Sequence, residues 1–375
     1  MILTYKYRLK GKRACRQLRR FAWAANQVWN YCVQTQRSVQ RAWREGLSAR
    51  WRSQYDLQKL SAGTSHDLGL HAQTIQSVCA QFVKSRDFHR KCPRFRQSGG
   101  PKRSLGWIPF QTPSRQITSS SVTYLGNTYR FFGAKRRPLP ETSKGGCFVE
   151  DARGRWWVCF HVEVLELPKA PDTSVGIDLG LTTLATLSTS EKIRAPRAYR
   201  LYEDKLIIAQ RANNKSRVRA LHTKIANIRH DHMHQWTSRV ARRHQTIFTG
   251  DVSSSQLAKT KMAKSVYDAG WSMTRNALRY KASRHGGIYR DVDEKFTTQI
   301  CSACGALPPQ RPRGIADLGV RSWECPECGA IHDRDVNAAQ NILVIGLSAL
   351  GSPQPSNRKM TRQPPEEESR AAHGR

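Results

Sequence analysis

Four cysteines carry the most explicit chemistry in this chain. Cys301-x-x-Cys304 and Cys325-x-x-Cys328 are two knuckles with twenty residues between them. A C-x-x-C turn presents two thiolates to one ion, and two such turns complete a closed tetrahedral site of the structural zinc type. A redox dithiol is the alternative, but a paired repeat with Pro326 inside one knuckle argues for Zn2+ held by Cys301, Cys304, Cys325 and Cys328. Two acidic segments could do further chemistry. Val175-Gly176-Ile177-Asp178-Leu179-Gly180 places an aspartate at the end of an apolar strand, beside a glycine turn. Asp333-Arg334-Asp335-Val336-Asn337-Ala338-Ala339 follows the second knuckle directly, where a helix would start. Lone aspartates before a turn or helix are usually caps, so neither segment alone marks a catalytic centre. Nor does a zinc ribbon alone name a function.

The elements that must position these residues follow from periodicity and punctuation. Residues 2–9 alternate as a strand does. From about Cys15, the residues Leu18, Phe21, Ala25, Val28, Trp29 and Cys32 share a helical face, with Arg16, Arg19 and Arg20 off it. Helical segments continue to about Arg90, broken near Ala62–Ser65, and form a small basic helical domain whose apolar stripe is core packing. From Cys92 the chain becomes Pro- and Gly-rich and strand-like. Val122–Leu125 and Thr128–Phe132 flank Gly126-Asn127 as a hairpin turn, and Phe148–Val149 and Trp156–Val164 flank a second turn at Asp151–Gly154. This region reads as a β-barrel-like module with Lys135, Arg136 and Arg137 on an exposed loop. Beyond Pro171, Val175–Leu187 reads as two strands and Lys205–Arg243 as helix broken at Asn213-Asn214. Thr246–Thr249 reads as a strand, followed by a helix that stops at Gly286-Gly287, and Ile288–Val292 as another strand. The tail, with four prolines and Glu366–Glu368, is expected to be disordered.

Composition narrows the partners. The chain has 375 residues, room for two or three compact units, and 38% hydrophobic residues with ten tryptophans support a sizeable core. Sixty-three Lys and Arg against twenty-eight Asp and Glu give a formal charge of +35. Such an excess destabilises a compact state by self-repulsion unless a polyanion neutralises it. The basic residues run from Lys6 to Arg362, which suits a protein wrapped around a long nucleic acid better than one reading a single groove. No concentrated basic amphipathic helix, no apolar run of membrane-spanning length and no secretory h-region stands out. Mean hydropathy is −0.63. The six cysteines outside the knuckles show no disulfide framework, which points to a reducing, cytoplasmic, nucleoid-associated setting without a membrane partner.

Gly-Ile-Asp-Leu-Gly, a basic helical insert, a four-cysteine ribbon and Asp-Arg-Asp-Val-Asn-Ala-Ala, in that order, resemble the TnpB family of RNA-guided DNA endonucleases and the related type V CRISPR effectors. Arg229-His230-Asp231-His232-Met233-His234 looks like the family's Arg-x-Asp-x-x-His helix. Lys6-Tyr7-Arg8-Leu9 and Pro93-Arg94-Phe95 look like its first strand and its Pro-Arg-Phe segment. The resemblance covers most of the chain, strongest over 171–343, and implies an α/β fold: an RNase H-like RuvC nuclease core interrupted by the zinc ribbon, preceded by a wedge-like β-barrel module with an inserted helical recognition domain. On that plan residues 1–12 are the first barrel strand, 13–91 the helical domain, 92–170 the barrel, 171–300 the nuclease core, 301–330 the ribbon, 331–350 the final core helix and 351–375 the tail. It also implies a guide RNA and target double-stranded DNA as partners, association with a transposable element, and three carboxylates gathering two Mg2+ ions.

Carried over by position, Asp178 is the first acid and Asp335 the third, with Asp333 beside it. The second departs from the family: where Glu-Asp-Leu is usual, the chain reads Gly250-Asp251-Val252. Asp251 is a poor replacement, because successive strand residues point to opposite faces. Glu294, just past the strand Ile288–Val292, is the candidate, giving Asp178, Glu294 and Asp335 as the catalytic, Mg2+-binding set. A solvated Glu294 beside Lys295 would instead leave a guided DNA binder that does not cut. A zinc-ribbon DNA-binding protein without a guide is the third reading, and it leaves both aspartate motifs unexplained.

Overall fold

The computed structural model describes residues 1–100, 102–111, 117–133, 137–139, 143–251, 265–266, 269–313, 317 and 319–350; Lys135, Arg136 and the tail beyond residue 350 lie outside them. Two compact units result. Met1–Leu165 with Ala209–Leu221 form one, and Glu166–Ile208 with the described residues from His222 onward form the other.

In the first unit, β1 (Ile2–Arg8) leads into the long helix α1 (Lys12–Arg44). Three further helices follow, α2 (Gln54–Leu60), α3 (Thr64–Leu68) and α4 (Ala72–His89). Ser53 caps α2 through a reciprocal box with Asp56, which satisfies two of the donors that a helix start leaves unpaired. Leu18, Ala25, Val28, Trp29 and Cys32 of α1 are buried, and Trp29 meets Phe82 of α4 edge-on at 5.5 Å. Burial of side chains this size is worth about 1.5–3 kcal/mol each. The Pro93-Arg94-Phe95 segment is pinned along α1. The Trp29 indole N–H donates to the Arg94 carbonyl at 3.0 Å, and Asn30 exchanges two hydrogen bonds with the Arg96 backbone at 2.9 and 2.7 Å.

The strands β2 (Trp107–Phe110), β3 (Ser121–Tyr124), β4 (Asn127–Arg130), β5 (Ser143–Glu150) and β6 (Trp156–Glu163) complete this unit. A four-stranded sheet has the order β1-β6-β5-β2, so the helices α1 to α4 are inserted between its two edge strands. The first hairpin turn differs by one residue from the sequence expectation. Tyr124 pairs with Asn127, so Leu125-Gly126 make the turn rather than Gly126-Asn127. Both turn residues have positive φ, +48° and +72°. Burial sets the register, because Val122 then faces Tyr129 and both enter the aromatic core with Phe131 and Phe148. Left-handed backbone at Leu125 costs about 1–2 kcal/mol, less than exposing those side chains.

The second unit contains β7 (Ser174–Asp178), β8 (Thr183–Leu187), β9 (Lys192–Arg194), a 3-10 turn (Arg200–Tyr202), α5 (Glu203–Arg211) up to Ile208, α6 (Lys215–Arg243) from His222 onward, β10 (Thr246–Gly250), α7 (Trp271–Arg284) and β11 (Ile288–Val292). The short hairpin β12 (Ser322–Glu324) and β13 (Ile331–Asp333) and the last helix α8 (Arg334–Ser348) follow. Asn213, at φ +48°, breaks α5 from α6. A mixed sheet runs β11-β10-β7-β8-β9, with β11, β10 and β7 parallel and β8 and β9 antiparallel. Val175, Ile177 and Ile247 pack with Trp236 and Val240 of α6 and Trp271 and Leu278 of α7 on one face. The other face receives α8. A Cβ on Gly176 would lie 2.1 Å from the Ala339 carbonyl oxygen, so only glycine lets that helix settle on β7. No helix among the described residues is long and apolar enough to cross a membrane.

Candidate active site and metal centre

Parallel pairing brings three strand ends together. Thr249 pairs with Ile177 and Gly250 with Val292, so Asp178, Gly250 and the chain leaving Val292 reach the same edge of the sheet. The pleat decides which face each side chain takes. Thr249 faces α7, where its hydroxyl meets the Tyr289 hydroxyl at 2.6 Å and Asp291 at 3.2 Å, and Arg279 of α7 holds Asp291 at 2.7 Å. Gly176, its cross-strand partner Phe248, and Gly250 two residues beyond Phe248 face α8. Asp178 keeps step with Gly176 on that face, and Glu294 keeps step with Val292, which packs against Phe248 and Ile342.

Glu294 fills the space before Gly250. A Cβ at position 250 would meet Glu294 Oε2 at 2.8 Å and its Cβ at 3.2 Å. The Asp251 carboxylate accepts from the Glu294 backbone N–H at 3.4 Å, on the loop rather than on the α8 face. Asp335 enters from the first turn of α8, whose N-cap is Asp333, accepting from the N–H groups of Asp335 and Val336 at 3.1 Å each. Lys192 donates to Asp333 at 2.6 Å. Burial would raise the Asp333 carboxyl, but Lys192 and the two cap N–H groups outweigh it and hold it down. Arg321 of the ribbon lies 3.5 Å from Asp335.

The carboxylates feel one another. Burial pushes Asp178 up to about 7, and the negative charges of Asp335 and Glu294 push the same way. Burial also pushes Glu294 up to about 7, helped by Asp251 and opposed by Arg275. Mutual repulsion of this kind is relieved when a cation joins the cluster. Asp178, Glu294 and Asp335 bring hard carboxylate oxygens to this end of the sheet, the donor type that Mg2+ takes.

Two asparagines invisible as site residues in the sequence organise this end of the sheet. Asn337 and Asn341, one turn apart on α8, each donate to the carbonyls of both Thr297 and Ile300 at 2.8–3.2 Å. Asn337 also accepts from the Ser302 N–H at 2.9 Å. Thr297 in turn donates through its hydroxyl to the Glu294 carbonyl at 2.8 Å. The helix that carries Asp335 therefore holds the loop that carries Glu294 and the first zinc knuckle. A polar i, i+4 pair on an otherwise apolar helix face was the available signal.

The four knuckle thiolates lie within 4.8 Å of one another. Sγ separations of 3.6 Å for Cys301–Cys328 and 3.8 Å for Cys304–Cys325 match the roughly 3.8 Å expected for a tetrahedron with Zn–S near 2.3 Å. Both knuckles read C-x-x-C-G-A, and both close alike. The first Cys N–H donates to the alanine carbonyl, and the glycine N–H donates back to that Cys carbonyl. Gly305 and Gly329 have φ of +77° and +69°, which explains the repeated glycine. His332 touches Cys301 Sγ at 3.0 Å. Against burial, the Cys304 N–H and His332 bring the Cys301 thiol down to about 6, favouring the ligating thiolate.

The Cas12f1-like TNB domain family model matches residues 271–342, and the OrfB_IS605 model, described as "Probable transposase", matches 157–261. A candidate RNA-guided DNA endonuclease of Streptomyces pristinaespiralis is 32% identical over 331 residues, covering 84% of this chain and 79% of the relative. InsQ, a candidate RNA-guided DNA endonuclease of Escherichia coli K12, is 26% identical over 97% of each chain. TnpB-like protein L79 of Acanthamoeba polyphaga mimivirus is 41% identical over 71 residues, covering 19% of this chain and 12% of that one. A cryo-EM Cas12f1–sgRNA–target DNA complex aligns with TM-score 0.37 and 15% identity, covering 92% of this chain and 99% of that one. The molecule is thus a mixed α/β protein with a carboxylate-lined sheet end and a four-thiolate centre suited to zinc. The chain belongs to the TnpB (OrfB_IS605) family.

Proposed function

We propose that this chain is an RNA-guided DNA endonuclease of a transposable element, hydrolysing target DNA next to a short recognition motif. The observation that carries this reading is the Glu294 carboxylate in front of Gly250, on the face of the sheet that Asp178 shares. On this reading the β7–β11 sheet with α8 is an RNase H-like RuvC core, and Cys301, Cys304, Cys325 and Cys328 hold a structural Zn2+. Asp178, Glu294 and Asp335 would hold Mg2+, two ions in all, which supplies an activated water and charge neutralisation at the leaving oxygen. Asp178 contributes from the rigid end of a central strand, while Glu294 contributes from a loop held by Thr297, Asn337 and Asn341. Asp333 stays ionised as the cap of α8 and so fixes where Asp335 starts. Its protonation would release two backbone N–H groups and loosen that turn.

The first unit, read as a β-barrel module with an inserted helical domain, would hold the guide–target hybrid and the adjacent motif. A net charge of +35 supports polyanionic partners of that size, guide RNA and target double-stranded DNA, with base pairing supplying the specificity. Protein purified with its neighbouring transcript should cut a matched plasmid library carrying a randomised flanking motif in Mg2+. Asp178→Ala and Glu294→Ala should each abolish cutting while guide-dependent plasmid retention persists. Unimpaired cutting by Glu294→Ala would discard Glu294 as the second acid, and retention without cutting by the parent would discard the nuclease.

A further inference from the structure

A cavity of about 450 Å3 opens beside the turn that joins β7 to β8. Leu181 and Ala195 form apolar wall, Tyr199 contributes its ring, Glu203 a carboxylate, and Arg197 and Arg200 guanidinium groups. Arg197 and Arg200 are exposed and stand at the rim, while Tyr199 is half-buried in the lining. The cavity is rigidly tied to the first acid. Leu181 is three residues past Asp178, and the turn between them is held twice. The Trp271 indole N–H donates to the Gly180 carbonyl at 3.2 Å, and the Gly180 N–H donates to the Leu184 carbonyl at 3.3 Å.

The rim carries backbone strain. Arg197 has φ +44°, a left-handed conformation that a branched or long side chain adopts only when its surroundings impose it. The Leu201 N–H donating to the Arg197 carbonyl at 3.1 Å, and the Tyr202 N–H donating to that of Tyr199 at 3.0 Å, fasten it in place. Strain maintained at a cavity mouth, with a cation as the strained residue, is what a ligand-positioning segment shows.

The lining defines the ligand class. One ring and small apolar side chains, with the hydroxyls of Thr182 and Ser265 and a cationic rim, suit a nucleotide, with the base inside and its flanking phosphates outside. The negative charge of Glu203 disfavours a phosphate in the interior. The volume falls in the range of small-ligand pockets. We propose that this cavity is a base-binding subsite for the DNA strand being cut: it takes one unstacked nucleotide against Tyr199, with neighbouring phosphates on Arg197 and Arg200. The assignment to the cut strand rests on the endonuclease reading of Asp178.

The test uses guide-loaded, full-length protein and single-stranded DNA oligomers carrying one 2-aminopurine, whose fluorescence drops on stacking. The parent and Asp178→Ala should both quench the probe, Tyr199→Phe should keep quenching, and Tyr199→Ala should lose it with about tenfold weaker binding. Arg197→Ala and Arg200→Ala should each weaken binding and reduce its salt dependence by about one phosphate contact. In parallel, Tyr199→Ala should broaden the distribution of cut positions. Equal quenching by Tyr199→Ala and the parent overturns the subsite even if plasmid cutting is intact. Quenching that depends on Tyr199 in a protein that never cuts supports the subsite and defeats the nuclease reading instead. Equal quenching by an RNA oligomer of the same sequence overturns the assignment to DNA.

Discussion

Gly250→Ala isolates the position of the Glu294 carboxylate from its presence. The added Cβ would sit 2.8 Å from Glu294 Oε2, 3.2 Å from Glu294 Cβ and 3.4 Å from Ile342 Cδ1. Only the first of these is prohibitive, and it involves the far end of a side chain that can rotate away. The fold therefore adjusts at small cost. Gly250 has no positive φ, and replacing glycine by alanine at a compatible position gains about 0.4–1 kcal/mol from the unfolded chain, which offsets the crowding. The melting temperature should move by no more than a few degrees. Catalysis is less tolerant. Restoring ordinary contact displaces the carboxylate by about half an ångström or more, and misplacements near 1 Å cost about 10²-fold in rate. Guide-directed plasmid cutting at saturating Mg2+ should fall about 10- to 100-fold, with plasmid retention unchanged. The reciprocal swap, Gly250→Glu with Glu294→Gly, puts an acid back on the same face and should recover part of the rate lost by Glu294→Ala alone. Full-rate cutting by Gly250→Ala would refute the shared-space argument, because the carboxylate would then be dispensable where it stands.

Glu150 makes the stability of the first unit pH-dependent. Burial alone would raise its carboxyl, but the bidentate Arg103 pair at 2.7 Å, the Gly106 N–H and Arg19 outweigh that and hold it below its ordinary 4.5. A depressed folded value means the contribution is complete above 4.5 and is lost as pH falls through the folded value. Urea unfolding should show Glu150→Gln about 1.5–3 kcal/mol less stable at pH 7, with the gap narrowing as pH falls below 4.5; a gap independent of pH would be inconsistent with the ion pair. For the ribbon, a mercurial that titrates thiolates should release about one zinc per chain, and Cys301→Ser should lower the zinc content of purified protein. Full-length protein with zinc well below one per chain, purified without chelator, would contradict the four-thiolate centre.

Much of the candidate site was proposed from the chain itself because its motifs follow local rules. Two C-x-x-C turns twenty residues apart define a tetrahedral donor set, and Asp178 and Asp335 stand out through their flanking motifs and a family resemblance. Alternation alone also argued that Asp251 points away from Asp178, since parity is a property of any strand. The Leu125-Gly126 turn was misplaced by one residue because Gly-Asn is the commoner turn pair, and the deciding fact was which of Val122, Tyr124, Tyr129 and Phe131 reach the core.

What local sequence determined, then, is the inventory: strands, helices, the metal knuckles and the acids available to a site. What only the tertiary structure decided is the arrangement that gives the acids a common field. Parallel register sets Gly250 beside both Asp178 and Val292, and a two-residue extension carries Glu294 back over the glycine. The grip of Asn337 and Asn341 on Thr297 and Ile300 joins the acid of a helix to the acid of a loop some forty residues earlier. The register has no local signature, and the asparagine pair signals a buried polar contact without naming its partners, because strand pairing and buried side-chain-to-carbonyl bonds between distant segments are settled by what packs together.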